Sequence, residues 1–243
     1  VLSLTGVPVV LENDVLKLNI NTQGGVVQFA MLKQFFNPHN KSLNTVLFNS
    51  KTANPEVISP NDLYVSRSGL TDVGLDHTTL YTASAPAAVL QDGQEAVSVT
   101  FSAQNNGITL NKTYTLKRGS YLMDVRFDVE NASAQAIRPD VYMEIVRDGA
   151  QMGESKFYTT YTGPVVYNAT DKYKKVPFTD ISSGKVDFTT NSDSGRGGMI
   201  RNYFVPACVV LGTKPRTFYS RTLYTTNTPV TSIFCVGKCM ILG

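Results

Sequence analysis

Hydrophobic and polar residues alternate along several segments of this chain. In residues 15–21, Leu16, Leu18 and Ile20 share one face, whereas Lys17, Asn19 and Asn21 share the other. The same period of two runs through 97–102 and, most regularly, through 123–130. A strand with one face on the core and one face in water has this pattern. The alternation therefore predicts an antiparallel β protein.

Turn sequences separate these runs. Asp92-Gly93, Asn105-Asn106-Gly107 and Arg118-Gly119 each contain a glycine, which readily takes the positive φ of a tight hairpin turn. We predict three successive hairpins between about 87 and 130. Residues 29–36 carry a weak helical pattern, whereas 37–76 and 149–168 have loop-like composition. The prediction is one all-β domain, residues 1–243, of two large antiparallel sheets packed face to face.

Composition narrows the function classes. The chain has 243 residues, of which 42% are hydrophobic and 17% charged, which is typical of a globular domain. The net charge of +3 is small and the cations are scattered, which argues against a nucleic-acid-binding protein. The longest apolar runs are far shorter than the ~20 residues of a transmembrane helix, and the first residues lack the pattern of a signal peptide.

The metal-ligating residue types are few. The chain has three cysteines, Cys208, Cys235 and Cys239, and an odd number does not suit a disulfide framework. We expect all three to be unpaired and to act as small apolar residues, although Cys235 and Cys239 could pair across a turn. The two histidines lie far from the cysteines in sequence, so we predict neither a metal site nor a cofactor.

Four motifs occur in an order that resembles the first periplasmic domain of the YidC membrane protein insertases. They are the strand and glycine pair of 12–25, the hairpin of 116–131, the aromatic and lysine segment of 161–181, and the Gly-Gly and Tyr-Phe pattern of 197–207. Met199 stands where the family usually has tryptophan, and the segment after Leu211 resembles the family less. The resemblance covers nearly all of the chain.

The resemblance implies a β-supersandwich, similar to the galactose-mutarotase fold. It also implies a periplasmic domain of a bacterial inner-membrane protein, which lies between two membrane helices that are absent from this chain. Insertion itself would belong to those helices, so this domain would be non-catalytic. Its expected partners are ancillary subunits of the Sec translocon, such as SecDF, or emerging segments of membrane-protein substrates.

The fold analogy also raises a carbohydrate-binding or aldose-epimerase-like alternative. Epimerases of this fold need an acid and a base on either side of the sugar ring, typically His with Glu. His39 and His77 both have loop-like contexts, and we expect neither to be catalytic. The carboxylates Glu144, Asp148 and Glu154 are interpreted as solvated groups at a strand edge.

Aromatic residues and lysines concentrate in one segment that suits recognition. Such a combination fits a protein contact, sugar stacking or anionic headgroups. It also fits an edge strand whose charges prevent pairing with another sheet. Our candidate contact residues are Tyr161, Tyr167, Lys172, Tyr173, Lys174, Lys175 and Phe178.

Overall fold

The computed structural model describes residues 4–37, 40–50, 63–148, 161–188, 190–192, 195–200, 204–209, 216–225 and 228–238. The first nine strands are β1 (Pro8–Glu12), β2 (Leu16–Asn21), β3 (Val26–Asn37), β4 (Asn40–Ser50), β5 (Leu63–Leu70), β6 (Thr82–Ala83), β7 (Ala87–Val89), β8 (Ala96–Asn105) and β9 (Ile108–Lys117). The remaining elements are β10 (Met123–Asn131), β11 (Asp140–Asp148), β12 (Gly163–Asn168), β13 (Lys172–Lys175), α1 (Phe178–Ser182), β14 (Asn191–Ser192), β15 (Gly195–Ile200), β16 (Ala207–Val209), β17 (Arg216–Thr225) and β18 (Thr228–Lys238).

The described residues form three sheets. The long sheet has ten strands in the order β14-β17-β18-β11-β5-β4-β3-β2-β1-β7. A second sheet has the order β10-β9-β8-β6, and a third has the order β13-β12-β15-β16. The predicted all-β sandwich is confirmed, and the layer opposite the long sheet is divided into two four-stranded sheets.

The main core lies between the long sheet and the second sheet. Leu11, Leu18 and Ile20 of the long sheet and Phe101 and Leu110 of the second sheet belong to one buried cluster. Alternation makes this possible, because every second residue of each strand points to the same layer. A smaller cluster joins the third sheet to the long sheet further along β5 and β11.

The Gly24-Gly25 pair allows the β2–β3 turn to approach the second sheet. Both glycines have positive φ, 74° and 60°. A Cβ on Gly24 would collide with the His77 carbonyl, and one on Gly25 would lie 2.7 Å from the Tyr114 hydroxyl. That hydroxyl donates to the Gly25 carbonyl at 2.7 Å. The glycine pair of the first motif therefore serves packing between layers.

The predicted meander is confirmed for two of its three hairpins. β8 pairs with β9, and β9 pairs with β10, with the positive-φ residues Asn106, Gly107 and Gly119 in their turns. The first hairpin is wrong: β7 pairs in parallel with β1, so the Asp92-Gly93 turn leads from the long sheet to the second sheet. The weak helical pattern at 29–36 is also wrong, because these residues belong to β3. The segment 37–76, interpreted as irregular, contains β4 and β5.

Candidate functional site

The candidate segment forms the outer hairpin of the third sheet. β12 and β13 pair in antiparallel fashion, and β13 is the edge strand. Asn168 shapes the turn between them: its buried side-chain oxygen accepts hydrogen bonds from the backbone N–H groups of Thr170 at 2.9 Å and Asp171 at 2.6 Å. Lys172 follows with a φ of 57°, which an asparagine-built turn of this kind accommodates.

An exposed row of side chains crosses the four strands of this sheet. Tyr173 pairs with Tyr167, Tyr167 with Arg196, and Arg196 with Val209. Residues directly opposite each other in antiparallel strands share one face, with Cβ atoms about 5 Å apart. We call Tyr173, Tyr167, Arg196 and Val209 the tyrosine row. The two tyrosines are 53% and 48% exposed, so half of each ring is available for contact.

Two lysines of β13 have defined neighbours. Lys175 lies on the same face as Tyr173, and its Nζ is 5.0 Å from the centre of the Tyr161 ring. Tyr161 donates to the Pro164 carbonyl at 2.6 Å, and burial raises its pKa to about 12, so it stays neutral. Lys174 points to the opposite face and pairs with Asp187 at 2.9 Å. The lysines therefore lie on both faces of the edge strand.

Phe178 belongs to the core and leaves the candidate surface. It is the first residue of α1, and it packs against the cluster of Tyr64, Ile145, Met199, Cys208 and Phe218. The guanidinium carbon of Arg147 is 5.6 Å from its ring centre. Phe178 thus fixes the helix to the long sheet, whereas Tyr167, Lys172, Tyr173 and Lys175 are exposed.

Sequence reasoning missed Arg196 and Val209. Arg196 was visible in the run Gly195-Arg196-Gly197-Gly198, which lacks the Lys-Ser/Thr of a phosphate loop. Arg196 lies beside Tyr167 because β12 pairs with β15 in this register. The sequence separation of the two residues does not reveal that pairing. Strand pairing would have to be known before the row could be predicted.

The residues considered for acid–base chemistry are occupied elsewhere. His77 Nδ1 lies 2.6 Å from the Tyr142 hydroxyl, which also accepts from the His77 backbone N–H at 3.0 Å. His39 and Glu154 lie outside the described residues.

The interpretation of Glu144 and Asp148 as solvated groups is wrong. Glu144 is fully buried and accepts two hydrogen bonds from Arg67. Arg67 Nη2 donates to Glu144 Oε1 at 3.0 Å, and Arg67 Nε donates to Glu144 Oε2. Asp148 is also buried and accepts the Leu63 N–H at 2.8 Å. Strand β11 lies inside the long sheet, so its carboxylates are covered and bonded.

Cys208 is buried in the cluster that also contains Met199 and Phe218. Cys239 and the side chain of Cys235 lie outside what the structure describes. Among the described residues, no three His, Cys, Asp or Glu side chains are placed to hold a metal ion together. The helical part of the same residues contains no segment with the length and apolarity to span a membrane.

Comparison with known proteins identifies relatives over most of the chain. The family model of the YidC periplasmic domain matches residues 8–237. The membrane protein insertase YidC of Ralstonia nicotianae is 39% identical over 217 residues, which are 87% of this chain and 36% of the relative. That of Cupriavidus taiwanensis is 36% identical over 220 residues, 88% of this chain and 37% of the relative.

A third relative extends the match. The membrane protein insertase YidC of Janthinobacterium sp. is 34% identical over 237 residues, which are 97% of this chain and 39% of the relative. The chain thus spans less than two fifths of the length of these relatives.

Proposed function

Because the chain belongs to the family of YidC periplasmic domains, we propose that it is a non-catalytic accessory domain that contacts other proteins during membrane-protein insertion. Its place is the periplasmic side of the bacterial inner membrane. The proposed partners are ancillary subunits of the Sec translocon, such as SecDF, or emerging substrate segments. The observation that carries the proposal is the exposed tyrosine row on the outer sheet.

Three features of the row suit a protein contact. Tyrosine supplies a large contact area and loses little conformational entropy when it is ordered. Arginine and tyrosine are the residue types that most often dominate binding energy at interfaces. Lys175 and Lys172 lie at the rim, where cations speed encounter with an acidic partner.

The edge position of β13 also bears on the proposal. An exposed edge strand could accept another strand, and lysines on such a strand oppose this pairing. Lys172, Lys174 and Lys175 lie on β13, so the edge is protected while the face remains open. The proposed contact is therefore made by side chains of the face.

The carbohydrate alternative has weaker support. Within the described residues, His77 is bonded to Tyr142 and Glu144 to Arg67, so these groups do not form a free acid–base pair across a cleft. A stacking site for sugar would use the same tyrosines, but the family relation favours a protein partner.

The test replaces the row in the intact membrane complex. A photoreactive phenylalanine analogue at position 167 should crosslink to a translocon subunit or to a nascent substrate. Adding Tyr173→Ala, Lys175→Glu and Arg196→Glu should weaken the contact behind that crosslink on the order of a hundredfold, since three removed anchors at roughly 1 kcal/mol each make about 3 kcal/mol. Unchanged crosslinking by the triple variant would refute the tyrosine row as the contact surface.

A matched control separates contact from folding. Leu80→Ala with Arg126→Glu changes an exposed apolar residue and an exposed cation outside the third sheet. This control should crosslink as the parent does. Circular dichroism and thermal melting should show parent-like folding for both variants, because all the replaced side chains are exposed or lie at an edge.

A further inference from the structure

Exposed apolar side chains occur around the β3–β4 hairpin, the β9–β10 turn and the residues that precede β16. Phe36 and Leu122 are 60% and 74% exposed, and Phe35 and Tyr121 are also exposed. Leu43, on β4 beside β3, is also exposed, and so is Val205, which follows Phe204. We call Phe35, Phe36, Leu43, Tyr121, Leu122, Phe204 and Val205 the aromatic end. Monomeric proteins rarely expose contiguous apolar surface without a function.

Ring contacts hold the aromatic end together. The ring centres of Phe35 and Tyr121 are 5.8 Å apart, and those of Phe35 and Phe204 are 5.2 Å apart. The Tyr121 hydroxyl donates to the Gln34 side chain at 3.0 Å. Three segments far apart in sequence therefore meet in one surface.

The turn that carries Tyr121 and Leu122 is tied to the long sheet. The Asn13 side chain donates to the Lys117 carbonyl at 2.7 Å and to the Ser120 carbonyl at 2.9 Å. The Asp14 carboxylate accepts the Gly119 N–H at 2.8 Å. The exposed residues thus sit on an ordered turn, and little ordering cost remains when they bind.

The surroundings of the aromatic end are cationic. The segments 12–17, 33–44 and 117–124 contain five Lys or Arg and three Asp or Glu, which leaves a net charge of +2. Glu12 pairs with Lys33 at 2.7 Å and Asp124 with Lys117 at 3.2 Å, so part of the negative charge is compensated within the surface. Lys41 and Arg118 are exposed on the segments that carry Leu43 and Tyr121. The Arg118 guanidinium also donates to the carbonyls of Gln94 at 2.9 Å and Gln91 at 2.8 Å.

We propose that the aromatic end is a membrane-docking surface that places Phe36 and Leu122 in the headgroup region of an anionic bilayer. Exposed Phe and Leu flanked by Lys and Arg are the pattern of segments that lie in a membrane interface. Lys41 and Arg118 would then lie beside anionic headgroups, which attract nearby cations. The proposal rests on the membrane setting of the proposed function. The aromatic end would contact the bilayer, whereas the tyrosine row would contact proteins.

The absence of tryptophan makes a direct test possible. The chain has no Trp, so Phe36→Trp introduces a single fluorescent probe. With vesicles of phosphatidylglycerol and phosphatidylethanolamine, its emission should shift to the blue and be quenched by brominated lipid. The matched control, Tyr173→Trp in the tyrosine row, should show neither effect. Pure phosphatidylcholine vesicles should give much weaker binding, and added salt should weaken binding to the anionic vesicles.

A second variant checks that the apolar residues bind. Leu122→Ser together with Phe35→Ser in the Phe36→Trp protein should lower the partition coefficient on the order of tenfold. Lys41→Glu with Arg118→Glu should lower it for anionic vesicles only.

Several results would overturn the proposal. An unshifted emission of the Phe36→Trp protein with anionic vesicles would refute it, as would equal shifts for probes at positions 36 and 173. A shift at position 36 that requires purified translocon subunits and not lipid would make this end a protein surface. Vesicle binding without crosslinking at position 167 would refute the proposed function alone, and crosslinking without vesicle binding would refute the docking surface alone.

Discussion

The interior of the sandwich and the turns and strand ends at its surface depart from the usual pattern of burial in opposite directions. Inside, Lys112, Arg67 and Glu144 are charged residues with almost no exposed surface. Outside, Phe36 and Leu122 are apolar residues with most of their surface in water. The buried charged residues have specific polar partners. The exposed apolar residues leave a large area available for contact with a partner.

This difference separates residues that hold the fold from residues that are free to bind. The Lys112 ammonium donates to the carbonyls of Gly24 at 2.8 Å and Ser68 at 2.7 Å, and it lies 4.6 Å from the centre of the Tyr81 ring. It therefore connects the second sheet to the β2–β3 turn and to β5 of the long sheet. Replacing such a group should change stability, whereas replacing Phe36 should change binding.

The largest expected effect is the loss of the buried carboxylate. Glu144→Leu leaves the Arg67 guanidinium buried without its partner, which typically costs about 3–5 kcal/mol. Urea unfolding followed by circular dichroism measures the change. Glu130→Leu, an exposed glutamate on β10, is the control and should change the free energy of unfolding by less than about 0.5 kcal/mol.

The double variant Arg67→Met with Glu144→Leu sharpens this test. Replacing both members of a buried ion pair by apolar residues is often close to neutral. We expect it to recover most of the stability lost in the single variant. If Glu144→Leu were as stable as the parent, the Arg67–Glu144 pair would not stabilise the fold. Buried charged residues and exposed apolar residues would then not differ in their effect on stability.

The fold was largely predictable from sequence because many of its strands alternate apolar and polar residues. The segments 15–21, 97–102 and 123–130 all form strands where the period of two placed them. Strands buried on both faces gave no such signal: β5 has eight residues, all buried, and it was interpreted as irregular. The parallel pairing of β7 with β1 was also missed, because a turn sequence does not say which strand the chain joins next.

The candidate surfaces were predictable only in part. A local run of Tyr and Lys pointed to 161–178, and this segment supplies half of the tyrosine row. The row also needs Arg196, and the aromatic end needs residues from β3, the β9–β10 turn and residue 204, which only the tertiary structure brings together. One interior exception did leave a trace in sequence: Lys112 stands at an apolar position in the alternation of 108–116.

The second prediction concerns the pH dependence of stability. Burial lowers the pKa of Lys112 to about 7 from 10.5, and the nearby Asp76 carboxylate opposes part of that change. Between these two values the unfolded chain binds more protons at residue 112 than the folded chain does. Stability should therefore rise with pH in this window, at most by about 1.4 kcal/mol per pH unit.

Lys112→Met isolates this contribution. The stability of the parent relative to Lys112→Met should increase by about 2 kcal/mol between pH 7 and pH 9, as measured by urea unfolding at each pH. Tyr81 faces the ammonium and Tyr114 lies two residues further along β9, and burial raises the pKa of both hydroxyls. Both proteins retain these tyrosines, so their effect cancels. Lys117→Met, an exposed lysine on the same strand, should show no such difference, and a flat profile for Lys112→Met relative to the parent would contradict the assignment.

The smallest expected effect on stability belongs to the aromatic end. Phe36→Ser with Leu122→Ser removes two large apolar side chains, but most of their surface is already in water, so little burial is lost. We expect the free energy of unfolding to change by less than about 1 kcal/mol. The matched interior change is Leu110→Ser, a fully buried residue of β9, which should cost several times more, about 3 kcal/mol. If the surface variant lost as much stability as Leu110→Ser, Phe36 and Leu122 would hold the fold, and the division between interior and binding residues would be wrong. If it kept its stability and lost vesicle binding, the same two residues would serve contact alone.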